Sequence, residues 1–144
     1  MSKDRGYFLE DLQIGMSAEL ERKILQKDVD AFAELTGDFN PVHIDKEYAA
    51  NTMFKGCIVH GAYIASMFST IMGMQLPGRG SIFREITLNY RGPVRVGDTA
   101  LVQVEVSKIN LERQIVTLSL YCKVNGKKVV RGKADAWVAK KPDV

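Results

Sequence analysis

The chain has 144 residues, of which 46% are hydrophobic and 26% charged, a composition that is typical of a globular protein and excludes a disordered chain or a fibrous repeat. Its 20 basic and 17 acidic residues give a net charge of +3, and the basic residues are scattered, so no nucleic-acid partner is predicted, although the slight basic excess suits a ligand that carries phosphates. A chain of this length can bury one sizeable core, and a single domain over residues 1–144 is therefore expected.

The N-terminal third begins without a secretory signal, because Met1–Gly6 is charged and no apolar run with a cleavage site follows it. A cytoplasmic protein is expected. A short strand is predicted over Ser17–Leu25, where apolar side chains alternate. From about Lys27 the apolar period becomes helical, and Gly37 is expected to end this amphipathic helix.

The segment after this helix, Asp38-Phe39-Asn40-Pro41-Val42-His43, is predicted to be a loop. Pro41 is disfavoured inside a regular element and biases the residue before it towards an extended conformation. A second short helix is expected after Asp45, which would serve as its N-cap.

The stretch from Gly56 to Gly78 contains no Asp, Glu, Lys or Arg. We interpret it as a helix that is buried on every side. A membrane span is the competing interpretation, but its glycines and polar residues leave a usable helix of about 16 residues, short of the ~20 that a bilayer requires. No membrane partner is therefore predicted.

The rest of the chain is predicted to form four long strands. Apolar side chains alternate from Ile82 to Tyr90, from Ala100 to Val106, from Val116 to Val124 and from Val130 to Val138. Asn125-Gly126 is a strong hairpin signal. Strands that follow one apolar helix indicate an α+β arrangement in which an antiparallel sheet curls around that helix. Cys57 and Cys122 lack metal-ligand spacing and are expected to be reduced and buried, so no metal site is predicted.

The loop between the first two helices concentrates an acid, an amide and an imidazole in Asp38, Asn40 and His43. An Asp and a His on one bent loop can bind a common water molecule, with one group removing a proton while the other delivers one. In the alternative, structural interpretation, Asp38 caps a turn that Asn40 and Pro41 form, and His43 is a satisfied loop histidine.

The start of the apolar helix, Val59-His60-Gly61, is a second candidate. Gly61 allows close approach of a ligand, and the free N–H groups of a first helical turn can stabilise an oxyanion. His60 is either a second catalytic imidazole or a polar residue satisfied at the helix start. Ser69 could reach a ligand or could bond back to the carbonyl four residues earlier.

These residues resemble a known family. The segment Phe32-Ala33-Glu34-Leu35-Thr36-Gly37-Asp38-Phe39-Asn40-Pro41-Val42-His43, followed by Ile58-Val59-His60-Gly61, is similar to the signature of the (R)-specific enoyl-CoA hydratases, also called hydratase 2 or MaoC-like dehydratases. The resemblance covers nearly the whole chain and includes the short stand-alone hydratases that supply polyhydroxyalkanoate synthesis.

The resemblance implies a hot-dog fold, a homodimer, an acyl-CoA thioester substrate and a reaction without a cofactor. It also implies roles for individual residues: Asp38 and His43 activate water, the Gly61 amide polarises the thioester carbonyl, Asn40 braces the loop, and Ser69 lies near the acyl group. Tyr63, Ser69 and Met72 would shape the acyl pocket. Gln26 stands where many relatives have a Thr helix cap.

Three classes of activity remain open at this point: a hydratase acting on acyl-CoA or on another acyl thioester such as an acyl-carrier-protein, a thioesterase, and a non-catalytic acyl-binding domain. Hot-dog thioesterases commonly use a carboxylate on the central helix, yet Gly56 to Gly78 contains none. Asp38 on the preceding loop is the hydratase arrangement. Hydration of trans-2-enoyl-CoA to (R)-3-hydroxyacyl-CoA is therefore the predicted reaction.

Overall fold

The computed structural model describes residues 5–143. A 3-10 turn at Leu9–Asp11 precedes strand β1, and three helices then separate β1 from the long helix α4. The bounds are β1 Ser17–Lys23, α1 Gln26–Thr36, α2 Pro41–Ile44, α3 Lys46–Ala50, α4 Gly61–Met74, β2 Ile82–Tyr90, β3 Thr99–Asn110, β4 Ile115–Val124 and β5 Lys127–Trp137.

The five strands form one antiparallel sheet in the order β1-β3-β4-β5-β2. The predicted hairpin turn joins β4 to β5, where Asn125 and Gly126 both have a positive φ, of 52° and 78°. Helix α4 packs on the inner face of the sheet. Its buried side chains meet the inward-facing residues of the strands in one continuous core, and they are Ile64, Met67, Phe68, Ile71 and Met72. The predicted α+β arrangement is therefore present.

Helix α2 lies in the segment that was predicted to be a loop, so that prediction was wrong in part. Pro41 occupies the first helical position, where its missing N–H would have no intrahelical partner and its fixed φ suits the helix. Asn40 is the N-cap, and its side chain accepts a hydrogen bond from the Val42 N–H at 3.3 Å. The short α3 begins after Asp45 as predicted, because the Asp45 carboxylate caps the Tyr48 N–H at 3.0 Å.

Helix α4 is not buried on every side, which corrects the sequence interpretation. One face, formed by Ala62, Ser66, Ser69 and Thr70, is exposed in the protomer. The prediction was wrong because a helix without charged residues can still have an exposed face made of small and hydroxyl-bearing residues. None of the helices in residues 5–143 is long and apolar enough to cross a membrane.

Strand β2 also departs from the predicted alternation. A bulge between Phe83 and Glu85 shifts its register with β5, and Ile82 is consequently 56% exposed at the edge of the sheet. The two cysteines form no disulfide. Cys122 is buried in the core, where burial raises the pKa of its thiol to about 11, whereas Cys57 is only half-buried.

Candidate active site

The loop between α1 and α2 brings Asp38 to the surface. Gly37 ends α1 in the left-handed conformation, with φ of 84°, which turns the chain away from the helix axis. The Asp38 N–H donates to the Thr36 hydroxyl at 3.3 Å, and the Asp38 carboxylate accepts from the Asn40 N–H at 3.2 Å. The carboxylate is therefore held in one orientation while its exposed side remains available to a ligand or to water.

His43 lies in α2 and is only 8% exposed. Its Nδ1 is 2.7 Å from the Ile58 carbonyl oxygen. A carbonyl can only accept, so we assign the proton to Nδ1, and in the neutral imidazole Nε2 is then the atom that accepts a proton. The Ile58 N–H donates in turn to the Val42 carbonyl at 3.1 Å. Two hydrogen bonds therefore join Ile58 to α2, one to the His43 ring and one to the backbone of the residue before it.

His60 is buried beside this pair and is 1% exposed. Its Nε2 is 3.0 Å from the backbone carbonyl of Asp38, to which it donates. Its ring stacks on His43 with centroids 3.9 Å apart and an interplanar angle of 28°, and it contacts Phe32 on the other side at 4.9 Å. His60 therefore fixes both members of the pair, through the backbone of Asp38 and through the ring of His43.

The side chains of Asp38, His43 and His60 offer three potential metal ligands within 4.8 Å of one another. Their orientation is poorly suited to a shared ion. The lone pairs of an imidazole lie in the plane of its ring, and in two stacked rings these directions run side by side instead of converging. One nitrogen of each ring is also engaged by a backbone carbonyl. The arrangement suits the binding and deprotonation of water better than the binding of metal.

Gly61 begins α4 directly after His60. Of the N–H groups in the first helical turn, that of Tyr63 donates to the His60 carbonyl at 3.0 Å, whereas those of Gly61 and Ala62 precede the first intrahelical hydrogen bond, and the helix dipole favours negative charge there. Tyr90 packs closely against Gly61: a Cβ at this position would lie 3.0 Å from the Tyr90 Cζ, and the Tyr90 hydroxyl donates to the Gly61 carbonyl at 2.6 Å. Burial raises the pKa of Tyr90, so its hydroxyl stays protonated as a donor.

A cavity of about 430 Å³ contains both His43 and Gly61 in its wall. The remaining lining is mostly apolar, and it is formed by Met53, Phe54, Ile58, Val59, Ile64, Tyr90, Arg91, Gly92, Pro93, Val94 and Val130. Met53 is 83% exposed and marks the mouth together with the exposed Arg91. The cavity can hold an apolar group beside an acid–base pair and a helix N-terminus.

The structure brings together some of the predicted site residues but not others. His43 and Gly61 line the cavity, the Asp38 carboxylate lies within 4.8 Å of a ring nitrogen of His43, and Asn40 holds the loop as the cap of α2.

The three residues predicted to shape the acyl pocket lie elsewhere on α4. Ser69 is on its exposed face, and Met72 is part of the core with 2% exposure. Tyr63 lies in a separate groove that includes Arg22 and Thr70, where burial raises the pKa of its hydroxyl. In the single protomer none of these three side chains lines the cavity that contains His43.

Two further contacts support the site that the sequence did not reveal, one made by Gln26 and one by Tyr90. Gln26 is the first residue of α1 and not its cap, which is Leu25. The Gln26 side chain donates to the His43 carbonyl at 3.0 Å and so ties α1 to α2. Tyr90, at the end of a strand far along the chain, closes the cavity beside Gly61. Neither contact has a local sequence signal, because both join segments that are distant in sequence.

Comparison with known proteins gives consistent matches. A family described as a MaoC like domain matches residues 10–128. The 3-hydroxybutyryl-CoA dehydratase of Methylorubrum extorquens is 41% identical over 96% of this chain and 88% of its own. The (R)-specific enoyl-CoA hydratase of Rhodospirillum rubrum is 39% identical over 92% of both chains. Among solved structures, the (R)-hydratase from A. caviae involved in PHA biosynthesis superposes with a TM-score of 0.87 at 39% identity, over 90% of this chain and 98% of that one. The predicted hot-dog fold is thereby confirmed.

Proposed function

The chain belongs to the MaoC-like family, and we infer that it catalyses the reversible addition of water to a trans-2-enoyl-CoA, giving an (R)-3-hydroxyacyl-CoA. It is an enzyme of the hydro-lyase type. The observation that carries this inference is that His43 and Gly61 line one apolar cavity, while the Asp38 carboxylate lies within 4.8 Å of a ring nitrogen of His43. The names of two similar proteins support it, because one is a 3-hydroxybutyryl-CoA dehydratase, which removes water, and the other is an (R)-specific enoyl-CoA hydratase, which adds it.

We propose that one water molecule binds between the Asp38 carboxylate and His43 Nε2. Because Nδ1 of His43 donates to the Ile58 carbonyl, Nε2 carries the lone pair that accepts a hydrogen from this water. The water oxygen forms a bond to C3 of the enoyl group while the pair delivers a proton to C2 on the same face, so the net addition is one water. The acid and base roles belong to the coupled pair and not to one residue.

Negative charge develops on the thioester oxygen as C3 is attacked, and the N–H of Gly61 is the proposed donor to it. This N–H lies at the start of α4, where the helix dipole adds a favourable potential. The carbonyl of the same peptide group, that of His60, accepts from the Tyr63 N–H at 3.0 Å, which fixes the orientation of the Gly61 N–H. The Tyr90 hydroxyl holds the next peptide group by donating to the Gly61 carbonyl at 2.6 Å. A donor that is oriented before the reaction does not have to reorganise during it.

The lack of an acid on α4 supports the hydratase over the thioesterase, because no carboxylate from this helix is available to attack a thioester or to activate water against it. The carboxylate that does reach the site, Asp38, is supplied by the loop before α2. Ser69 and the other residues predicted to contact the acyl group, Tyr63 and Met72, remain proposals.

We also propose a homodimer. Strand β2 leaves one edge of the sheet unpaired, and it carries the exposed Ile82 and Phe83. An exposed apolar edge is a pairing liability that a second copy would remove. The small-residue face of α4 would allow close approach of a partner helix, which would also bring Ser69 into contact with another part of the assembly. A cytoplasmic location and a role in supplying polyhydroxyalkanoate synthesis are part of the same proposal.

Incubation with crotonyl-CoA tests the function directly. We expect loss of the enoyl absorbance, formation of (R)-3-hydroxybutyryl-CoA on a chiral column, and no release of free CoA thiol. The matched control is Asp38→Asn, which preserves the shape of the side chain but removes the carboxylate from the pair. Release of thiol with the double bond intact would identify a thioesterase instead.

A further inference from the structure

The outer face of the sheet carries a polar groove of about 530 Å³ that the mechanism does not use. It crosses four strands, β3, β4, β5 and β2. Its lining is formed by Asn89, Arg91, Gln103, Glu105, Ser119, Leu120, Tyr121, Lys128, Arg131 and Gly132. Glu105 is the one acid in this set, against three cations.

The strand register brings these polar side chains into one row. Tyr121 of β4 is paired with Arg131 of β5, and Arg131 is paired with Asn89 of β2. The ammonium groups of Lys123 and Lys128 lie 4.9 and 4.7 Å from the centre of the Tyr121 ring. Three cations therefore line the groove, those of Arg91, Lys128 and Arg131, and Lys123 lies beside its Tyr121.

Glu105 lines the same groove, but it forms no ion pair within 4 Å with the cations of the groove in the part of the chain that the structure describes. In residues 5–143 the ion pairs within 4 Å are Arg22–Asp28 and Lys141–Asp11, and neither involves the groove. Like charges held side by side raise the local potential and are retained at a free-energy cost unless an anion binds among them. The groove therefore matches a ligand with more than one negative charge.

Arg91 connects the groove to the active-site cavity, because this residue lines both. It directly follows Tyr90, whose hydroxyl contacts Gly61, and it lies beside the mouth marked by Met53. A ligand whose apolar end enters the cavity and whose charged end remains outside would pass Arg91. One ligand could therefore occupy both sites, with its apolar end in the cavity and its charged end in the groove.

We propose that this groove binds the phosphate groups of the nucleotide part of coenzyme A. This inference rests on the proposed function, and it deepens it by selecting a CoA thioester over a thioester that lacks the nucleotide. Guanidinium groups such as those of Arg91 and Arg131 bind phosphate oxygens in a bidentate manner, and Lys128 adds a point charge. In a dimer formed through the edge of the sheet the groove remains open, because edge pairing covers no face of the sheet.

The test combines binding and kinetics on the full-length protein. Calorimetry measures the Kd of free CoA, and initial rates give the ratio of kcat/KM for crotonyl-CoA to that for crotonyl-N-acetylcysteamine, a thioester without phosphates. The variants are Arg131→Gln, Lys128→Gln and their combination. Lys133→Gln is the matched control, since Lys133 lies on the same strand and the same face but outside the groove.

Each single groove variant is expected to raise the Kd of CoA about fivefold and to lower the ratio of the two kcat/KM values about fivefold. The double variant should change each quantity roughly twentyfold. The control should leave both quantities within twofold of the wild type. Crotonyl-3′-dephospho-CoA separates the sources of the charge, because a variant that no longer distinguishes it from crotonyl-CoA has lost its contact to the 3′-phosphate.

The outcomes separate this inference from the proposed function. CoA binding that weakens in the groove variants, in a protein that does not hydrate crotonyl-CoA, would support the groove and reject the hydratase. Hydration with an unchanged Kd and ratio in the double variant would overturn the groove alone. If the variants instead slow only a crotonyl-acyl-carrier-protein, the groove docks an acidic protein and the inference is wrong.

Discussion

Replacement of Gly61 by Ala is the most direct perturbation of the proposed oxyanion donor. The added Cβ would lie 3.0 Å from Cζ, 3.1 Å from Cε1 and 3.3 Å from the hydroxyl of Tyr90. Contacts this short require the ring to move by a few tenths of an ångström. Tyr90 is 50% exposed, so it can move outward, but its hydrogen bond to the Gly61 carbonyl would be strained or lost.

The expected effect on stability is small because two contributions oppose each other. A lost hydrogen bond lowers the free energy of unfolding by roughly 0.5–1.5 kcal/mol. Alanine raises helix stability over glycine by up to about 1 kcal/mol. The net change should stay within about 1 kcal/mol, which corresponds to a Tm shift of about 4 °C for a chain of this size.

The expected effect on activity is much larger. The methyl group would push against Tyr90, which lines the cavity beside Gly61, and so would alter the wall against which the thioester binds. A displacement of about 1 Å from the reactive geometry can lower the rate about 10²-fold. We therefore expect kcat for crotonyl-CoA to fall by about 10² while the Tm is nearly unchanged. Saturation kinetics and thermal unfolding of the same preparation give both numbers.

Gly73→Ala is the matched control for this experiment. It lies in the same helix, and a Cβ there meets no atom within 4 Å. Its kcat should equal that of the wild type, with a Tm that is the same or slightly higher. Activity of Gly61→Ala within threefold of the wild type would refute the close approach of the substrate to this residue, and Gly61 would then be required only for packing against Tyr90.

The other predictions concern the supporting residues and the core. Asp38→Asn and His43→Ala should each lower kcat about 10²–10⁴-fold, and the double variant should be barely worse, as single-turnover rates will show, since the two groups act as a unit; retained activity in Asp38→Asn returns the loop to a structural role. His60→Phe keeps a ring against His43 but removes the donor to the Asp38 carbonyl, so kcat should fall roughly 10- to 100-fold without loss of CD signal. Gln26→Ala should lower the free energy of unfolding by about 1 kcal/mol, measured in urea, because it releases the His43 carbonyl. Burial raises the pKa of Cys122 to about 11, above its ordinary value of 9.0, so the stability that the neutral thiol contributes should be lost as the pH rises from 9 towards 11; equal pH dependence in Cys122→Ala would contradict this.

The periodic elements were predictable because each carries its own signal. The alternation in β3, β4 and β5 and the Asn125-Gly126 turn fixed the antiparallel hairpins, and the structure has strands at these places. Gly37 was correctly expected to end α1, because only a residue that tolerates a positive φ suits that position.

One error concerned a local helix start, and the other concerned contacts that depend on distant parts of the chain. Pro41 was interpreted as a residue that prevents a helix, but Asn40 as a cap and Pro41 at the first helical position form one turn of helix instead. The lack of charge on α4 was taken to mean burial on all sides, although small and hydroxyl-bearing residues also occupy an exposed face. The spacing of residues along a helix does not distinguish a helix face that packs on the core from one that is exposed in the protomer.

Asp38 lies in the loop before the four-residue helix α2 that contains His43, and backbone hydrogen bonds to the segment between β2 and β3 hold the neighbouring residues Ile58 and Val59 in place. The Val59 N–H donates to the Val94 carbonyl at 2.7 Å, and an isolated bridge pairs Ile58 with Arg95. Ile58 in turn accepts from Nδ1 of His43, so the imidazole is oriented by a segment that the chain leading into β3 holds in place. An orientation maintained by backbone bonds does not depend on the identity of the intervening side chains. The loop can therefore present an exposed Asp38 to the substrate while the proton acceptor beside it stays rigid, which is the condition under which a water molecule is held in one reactive position.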